Sequence, residues 1–189
     1  MVTLICGYRH SYTNDVWIGA DSRGVSGSFI VPSDMRKLLR AGRWRMGWAG
    51  NAAARLYLHK AVDELAACVE IEDLALATRS VLKDAEFRDI AGERPGAPGA
   101  YDHGQECLVA RDDGLWVIEP DGGVLEPHQP FVAIGRAQDV AYGAAAGLLH
   151  RGEVIEPAEF LRTVLEIGAQ FYATVGPPYW VECVNEPVF

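Results

Sequence analysis

The chain has 189 residues and carries 17 Lys and Arg against 26 Asp and Glu, a formal charge of −9. That length can bury a substantial core as one domain, 1–189, and 49% hydrophobic with 23% charged residues is the composition of an ordinary globular protein. The acidic balance argues against a nucleic-acid backbone or an anionic membrane as partner, since both select for Lys/Arg patches, and no apolar run nears the roughly 20 residues of a membrane span.

Val2 to Tyr8 is apolar and β-branched and reads as a buried strand, with turn chemistry at Ser11 to Asp15 and a return strand from Val16 to Ala20. Ser28 to Val31 reads as a short strand closed by Pro32. Lys37–Leu39 and Trp44–Trp48 form a hairpin around Ala41-Gly42-Arg43. Two helices are expected next. In the first, Leu58, Val62, Leu65 and Val69 share a face; the second starts near Ile71, with Glu72 and Asp73 favouring its dipole and Leu74, Ala77, Val81 and Ala85 on its apolar side. Gly92 to Gly104 is a loop by composition, either a surface connection or a lid or subunit contact.

The second half repeats the pattern. Cys107–Ala110 and Leu115–Ile118 make a hairpin, a turn at Asp121-Gly-Gly leads to short strands near Val124 and at Phe131–Ile134, and Gly135 opens an Ala/Gly-rich helix running to His150. Pro157 sits in the first turn of the last long helix, where Phe160, Val164, Ile167 and Phe171 fall on one face and Leu161 and Leu165 suggest a second apolar stripe for a partner. Pro177-Pro178 ends it, and Tyr179–Val184 is a final strand. Strands in blocks with helices in pairs give an α+β chain with two antiparallel sheets face to face and helices outside, a four-layer αββα sandwich.

The cysteines, Cys6, Cys68, Cys107 and Cys183, are far apart and form no CxxC, which points to reduced thiols and a cytoplasmic address. His10, His59, His103, His128 and His150 show no HxxxH or HExxH spacing, so neither a metal site nor a cofactor is expected.

The densest signal lies between residues 18 and 54. An apolar strand ends on Asp21-Ser22-Arg23, Lys37 follows sixteen positions later after Met35-Arg36, and a small-residue turn, Trp48-Ala49-Gly50-Asn51, opens a helix. This order resembles the active-site half of proteasome β subunits and HslV, which are N-terminal nucleophile (Ntn) hydrolases. The resemblance implies the αββα fold and threonine-type peptidase chemistry. A hydroxyl on the first residue is activated by that residue's own amine, a lysine lowers the amine's pKa, an acid holds the lysine, and a glycine N–H supplies the oxyanion hole. Carried over, Asp21 and Lys37 are the acid and lysine, Gly50 the oxyanion glycine, and the backbone of Val25 to Gly27 the cleft wall that pairs with an extended peptide. The resemblance also implies a homo-oligomer, while neither ring size, substrate nor an ATPase partner follows from it.

The start of the chain departs from the pattern. Met1-Val2-Thr3 stands where the family presents Thr-Thr after loss of Met, so one alignment puts Val2, a threonine shape without its hydroxyl, at the nucleophile position. The other puts Thr3 in front, which requires removal of Met1 and Val2. Arg136 replaces the serine of the family's Ile-Gly-Ser-Gly turn, and Gln170 is the nearest counterpart of a supporting acid on the last long helix. Three readings stay open: a self-assembling binding or scaffold subunit without orthodox protease activity, a peptide or amide hydrolase acting through Thr3, and a different reaction class built on Asp21 and Lys37.

Overall fold

A computed structural model of the chain describes residues 3–26, 29–31, 36–50, 52–89, 106–151 and 155–185. Its first sheet has the order β10-β1-β2-β11, made of β1 (Leu4–Arg9), β2 (Val16–Ala20), β10 (Phe131–Gly135) and β11 (Trp180–Cys183). The second is β5-β6-β7-β8-β9, made of β5 (Leu38–Ala41), β6 (Trp44–Ala49), β7 (Glu106–Arg111), β8 (Gly114–Ile118) and β9 (Val124–Leu125). Every pairing is antiparallel. The expected strand at 28–31 is one half of a hairpin, β3 (Gly24–Ser26) with β4 (Phe29–Val31), separate from both sheets.

The layers follow from the two-residue period of a strand. In β1, Leu4, Cys6 and Tyr8 pack into one core cluster and Ile5 into another; in β10, Phe131 and Ala133 join the first and Val132 and Ile134 the second. In β7 and β8, Leu108, Ala110, Leu115 and Val117 meet Ile5 between the sheets, while Cys107, Val109, Trp116 and Ile118 face the opposite way. These strands are apolar on both faces because each sheet is covered on both sides, which is why they read as nearly continuous hydrophobic runs rather than alternating ones.

The outer layers are helical. α1 (Ala52–Lys60), α2 (Val62–Ala67) and α3 (Ile71–Asp89) cover the second sheet, and α4 (Gln138–His150) and α5 (Pro157–Phe171) cover the first. The expected single helix from Leu58 to Val69 is two helices that meet at Ala61, and Val69 lies beyond the second and is exposed. Residues 58, 62 and 65 still face the core, so the period identified the buried side without revealing the break. α5 begins with Pro157 at its start and Glu156 accepting from the Glu159 N–H at 3.0 Å. Its buried face is Phe160, Leu161, Val164, Leu165 and Gly168, whereas Phe171 is 70% exposed. The supposed second stripe, Leu161 and Leu165, therefore belongs to this sandwich and is unavailable to a partner. The loop 92–104, with His103, and residues Met1, Val2, Gly27, Met35 and Asn51 lie outside the described residues.

Candidate active site

The site forms where the two sheets meet at one end. β1 and β2 run antiparallel with Ile5 opposite Ala20, so the residues just beyond, Leu4 and Asp21, close the pair, and the Asp21 N–H donates to the Leu4 carbonyl at 3.2 Å. Thr3 precedes β1 and Asp21 follows β2. Lys37 precedes β5, in the facing sheet. Stacking the sheets brings the three together: the Thr3 hydroxyl donates to Asp21 Oδ1 at 2.9 Å, the Leu4 N–H to the same oxygen at 3.0 Å, and Lys37 Nζ to it at 2.6 Å. The other oxygen, Oδ2, accepts from the Arg23 N–H at 3.1 Å and the Gly176 N–H at 3.3 Å.

Five donors on one fully buried carboxylate make Asp21 a hub and leave it no spare capacity as a proton acceptor. Lys37 is almost as buried, its side chain 2% exposed beside a carboxylate at 0%. Burial pushes the Lys37 pKa below its usual value, opposed by the charge of Asp21 and its hydrogen bond. Behind the pair, burial and the Asp21 charge raise the Cys6 thiol pKa far above its ordinary value, so it is inert.

Thr3 itself is 1% exposed. Its carbonyl accepts from the Arg136 N–H at 3.1 Å, and at Gly135, where φ is +96°, a Cβ would collide with that carbonyl oxygen. Thr3 is thus clasped between the β2 end and the β10–α4 turn. The Arg136 side chain points to solvent, and Gln170 is exposed on α5. Gly50 ends β6 just before α1, in a conformation (φ +154°) that L side chains rarely adopt, and a Cβ there would come within 3.0 Å of the Trp48 indole. Of the four expected residues, Thr3, Asp21 and Lys37 are in contact, and among the described residues Gly50 shares no hydrogen bond with them.

One member, Gly176, was not anticipated, and Arg23 of the Asp21-Ser22-Arg23 motif meets it. Gly176 donates to Asp21 and accepts from the Ser22 N–H at 3.2 Å, and the Arg23 guanidinium lies across the same segment to reach the Ala173 carbonyl at 2.7 Å. A side chain at residue 176 would run into that guanidinium. The only sequence cue was a glycine just before Pro177-Pro178, which reads as a helix stop. Among the described residues no cluster of three metal-ligating side chains occurs, and no helix is long and apolar enough to cross a membrane.

Layer order, sheet topology and the acid–lysine pair define the class: the chain has the αββα fold of the Ntn hydrolases, of proteasome-β and HslV type. No family model matches it. Among curated proteins it is similar to the ATP-dependent protease subunit HslV of Aquifex aeolicus (strain VF5), 26% identical over 169 residues, 87% of this chain and 89% of the relative. Among solved structures it resembles Thiobacillus denitrificans BPH in complex with epoxomicin (TM-score 0.69, 18% identity, 97% of this chain and 100% of that one). HslV from Trypanosoma brucei (0.68, 19%, 96% and 98%) and Anbu, an ancestral β-subunit, from Yersinia bercovieri (0.69, 18%, 96% and 81%) are similar in the same way. At these identities the structural matches speak for the fold.

Proposed function

We propose that the chain is a proteasome-β/HslV-like subunit that assembles with copies of itself and binds or scaffolds, without orthodox threonine-peptidase chemistry. The observation that carries this reading is the state of Thr3. An N-terminal nucleophile needs a reachable oxygen and its own free amine as base. The Thr3 hydroxyl is buried and donated to Asp21, and in this chain the Thr3 nitrogen is in a peptide bond to Val2. Asp21, with five donors already, is a poor substitute base. The pair with Lys37 then serves to tie the start of β1 to the facing sheet. Supporting self-assembly, the HslV relative is named as a protease subunit. A peptide or protein segment in the cleft is the expected ligand, and the cytoplasm the expected compartment.

A second reading is favoured by one specific feature: the Thr3 hydroxyl and Lys37 Nζ converge on the same oxygen, Asp21 Oδ1. If residues 1 and 2 are removed, Thr3 brings a hydroxyl, an amine and a lysine to one place, the composition of a peptide or amide hydrolase. A panel of fluorogenic peptides separates the readings. The first expects turnover no higher than for a Thr3→Val variant. Turnover that is abolished by Thr3→Val establishes the second.

A further inference from the structure

Where the edges of the two sheets meet, three guanidinium groups share one carboxylate. β5 and β11 are the outermost strands of their sheets. Glu182 of β11 accepts from Arg36, whose Nε lies 3.2 Å from Oε1. Arg40 Nη2 reaches Oε2 at 3.3 Å, and Arg45 Nε stands 3.8 Å from the same oxygen, beyond hydrogen-bond length. Among the described residues no other carboxylate lies within ion-pair range of these three arginines. Three positive charges against one negative leave two in excess, in a chain whose net charge is −9.

The cluster is held together against its own repulsion. Arg40 and Arg45 stand directly opposite each other in the β5–β6 pair, and like charges so placed destabilise a sheet. Arg45 cannot turn away. Its side chain is 4% exposed, and Nη1 is held by the Gly42 and Trp44 carbonyls at 3.1 and 3.2 Å. Its Nε is buried without a hydrogen bond, and so is Nε1 of Trp180, the ring that Arg36 covers at 5.5 Å. Burial first, then the Arg40 charge, lower the Arg45 pKa against the pull of Glu182. Arg36 and Arg40 are partly exposed, and Glu182 occupies only some of their donors. Among the described residues no hydrogen bond engages Nη1 of Arg36, or Nε and Nη1 of Arg40. The uncompensated charge therefore has N–H groups free on its solvent side.

We propose that this cluster binds a phosphate-type dianion between Arg36 and Arg40, on the solvent side of Glu182, with the buried Arg45 supplying charge from behind. A dianion balances the two excess charges, whereas a single carboxylate would leave one. A phosphate group also presents three strong acceptor oxygens, enough for the forked donors of two guanidinium groups at once. Inorganic phosphate and a small phosphomonoester carry the same chemistry. The site is separate from the Thr3–Asp21–Lys37 cluster, rests on neither reading of it and requires no catalysis.

The test is calorimetric titration of the full chain at neutral pH and low salt, where screening is weak. Three probes are compared at matched ionic strength: inorganic phosphate, glycerol 3-phosphate and acetate. At least one phosphate should bind about tenfold or more tighter than acetate. Arg40→Gln should weaken that binding about tenfold, while Arg43→Gln, whose guanidinium faces Asp112 instead, should leave it unchanged. Glu182→Gln should tighten it, because the excess charge rises, an effect that a purely structural cluster would not show. Glycerol 3-phosphate bound as tightly as inorganic phosphate or tighter identifies an esterified ligand; weaker binding identifies the free ion. Phosphates no tighter than acetate, no binding at millimolar concentration, or equal losses in Arg40→Gln and Arg43→Gln overturn the proposal. The wild-type comparison needs no variant to fold, and every outcome leaves the peptidase reading above untouched.

Discussion

Replacing Asp21 by Asn removes the hub's charge with almost no change in shape. The amide has one accepting oxygen where the carboxylate had two. If that oxygen keeps Thr3, Leu4 and Lys37, the new NH2 faces the Arg23 and Gly176 N–H groups, donor against donor, and both lose their partner. Lys37 is left almost fully buried beside a neutral group. Removing one member of a buried ion pair typically costs about 3–5 kcal/mol. Lys37→Met is milder, because Asp21 keeps four donors and burial already opposes the lysine's charge; about 1–3 kcal/mol is expected. With a urea slope of about 2 kcal/mol per molar for a chain of this size, Asp21→Asn lowers the unfolding midpoint by roughly 2 M. The double variant should lose less than the sum of the two singles. Urea titration followed by tryptophan fluorescence measures all four proteins. A midpoint for Asp21→Asn within about 0.5 M of wild type, or a larger loss for Lys37→Met than for Asp21→Asn, refutes the hub.

Gly135→Ala puts a Cβ against the Thr3 carbonyl oxygen at a positive φ, so it should destabilise by about 1–3 kcal/mol or more, read by the same titration. In the native protein Ellman's reagent should modify half-buried Cys68 first, with Cys6, Cys107 and Cys183 reacting only on unfolding. Burial pushes the Cys107 pKa from 9.0 up to about 12 and raises Cys6 further. Because these folded values exceed the unfolded one, their contribution to stability is complete below pH 9 and is lost as pH rises through 9 to 12. The urea midpoint should therefore fall above pH 9, less steeply in Cys107→Ala. Light scattering coupled to size exclusion should give a mass several times 20.6 kDa, whereas a clean monomer at micromolar concentration would remove self-assembly from the proposed function.

The parts of the fold legible in the sequence were those governed by local chemistry. Strands such as β2 and the β7–β8 hairpin were visible because apolar runs of strand length were bounded by turn residues such as Asp112 and Asp113. That Asp21 and Lys37 would meet was expected from the family resemblance carried by their interval and flanking strands. What could not be read depended on residues far apart in the chain. The Ala61 break has no glycine or proline to announce it. Leu161 and Leu165 looked like a partner's surface because the width of the buried face of α5 is set by what packs on it, here β1 and β2. The Gly176 N–H reaches Asp21 across 155 positions, through a loop whose only local signal was its terminating prolines. The commitment of the Thr3 hydroxyl to Asp21 likewise needed the two sheets stacked.

The most direct test of the central claim is covalent capture of the nucleophile. The natively expressed protein is incubated with an epoxyketone, and its intact mass is recorded before and after, with peptide mapping of the N-terminal segment. The proposed function predicts no added mass, because the Thr3 hydroxyl is buried on Asp21 and its nitrogen is bonded to Val2. A chain that begins at Thr3 and gains the mass of the probe on that residue would contradict it and make the protein a threonine-type hydrolase.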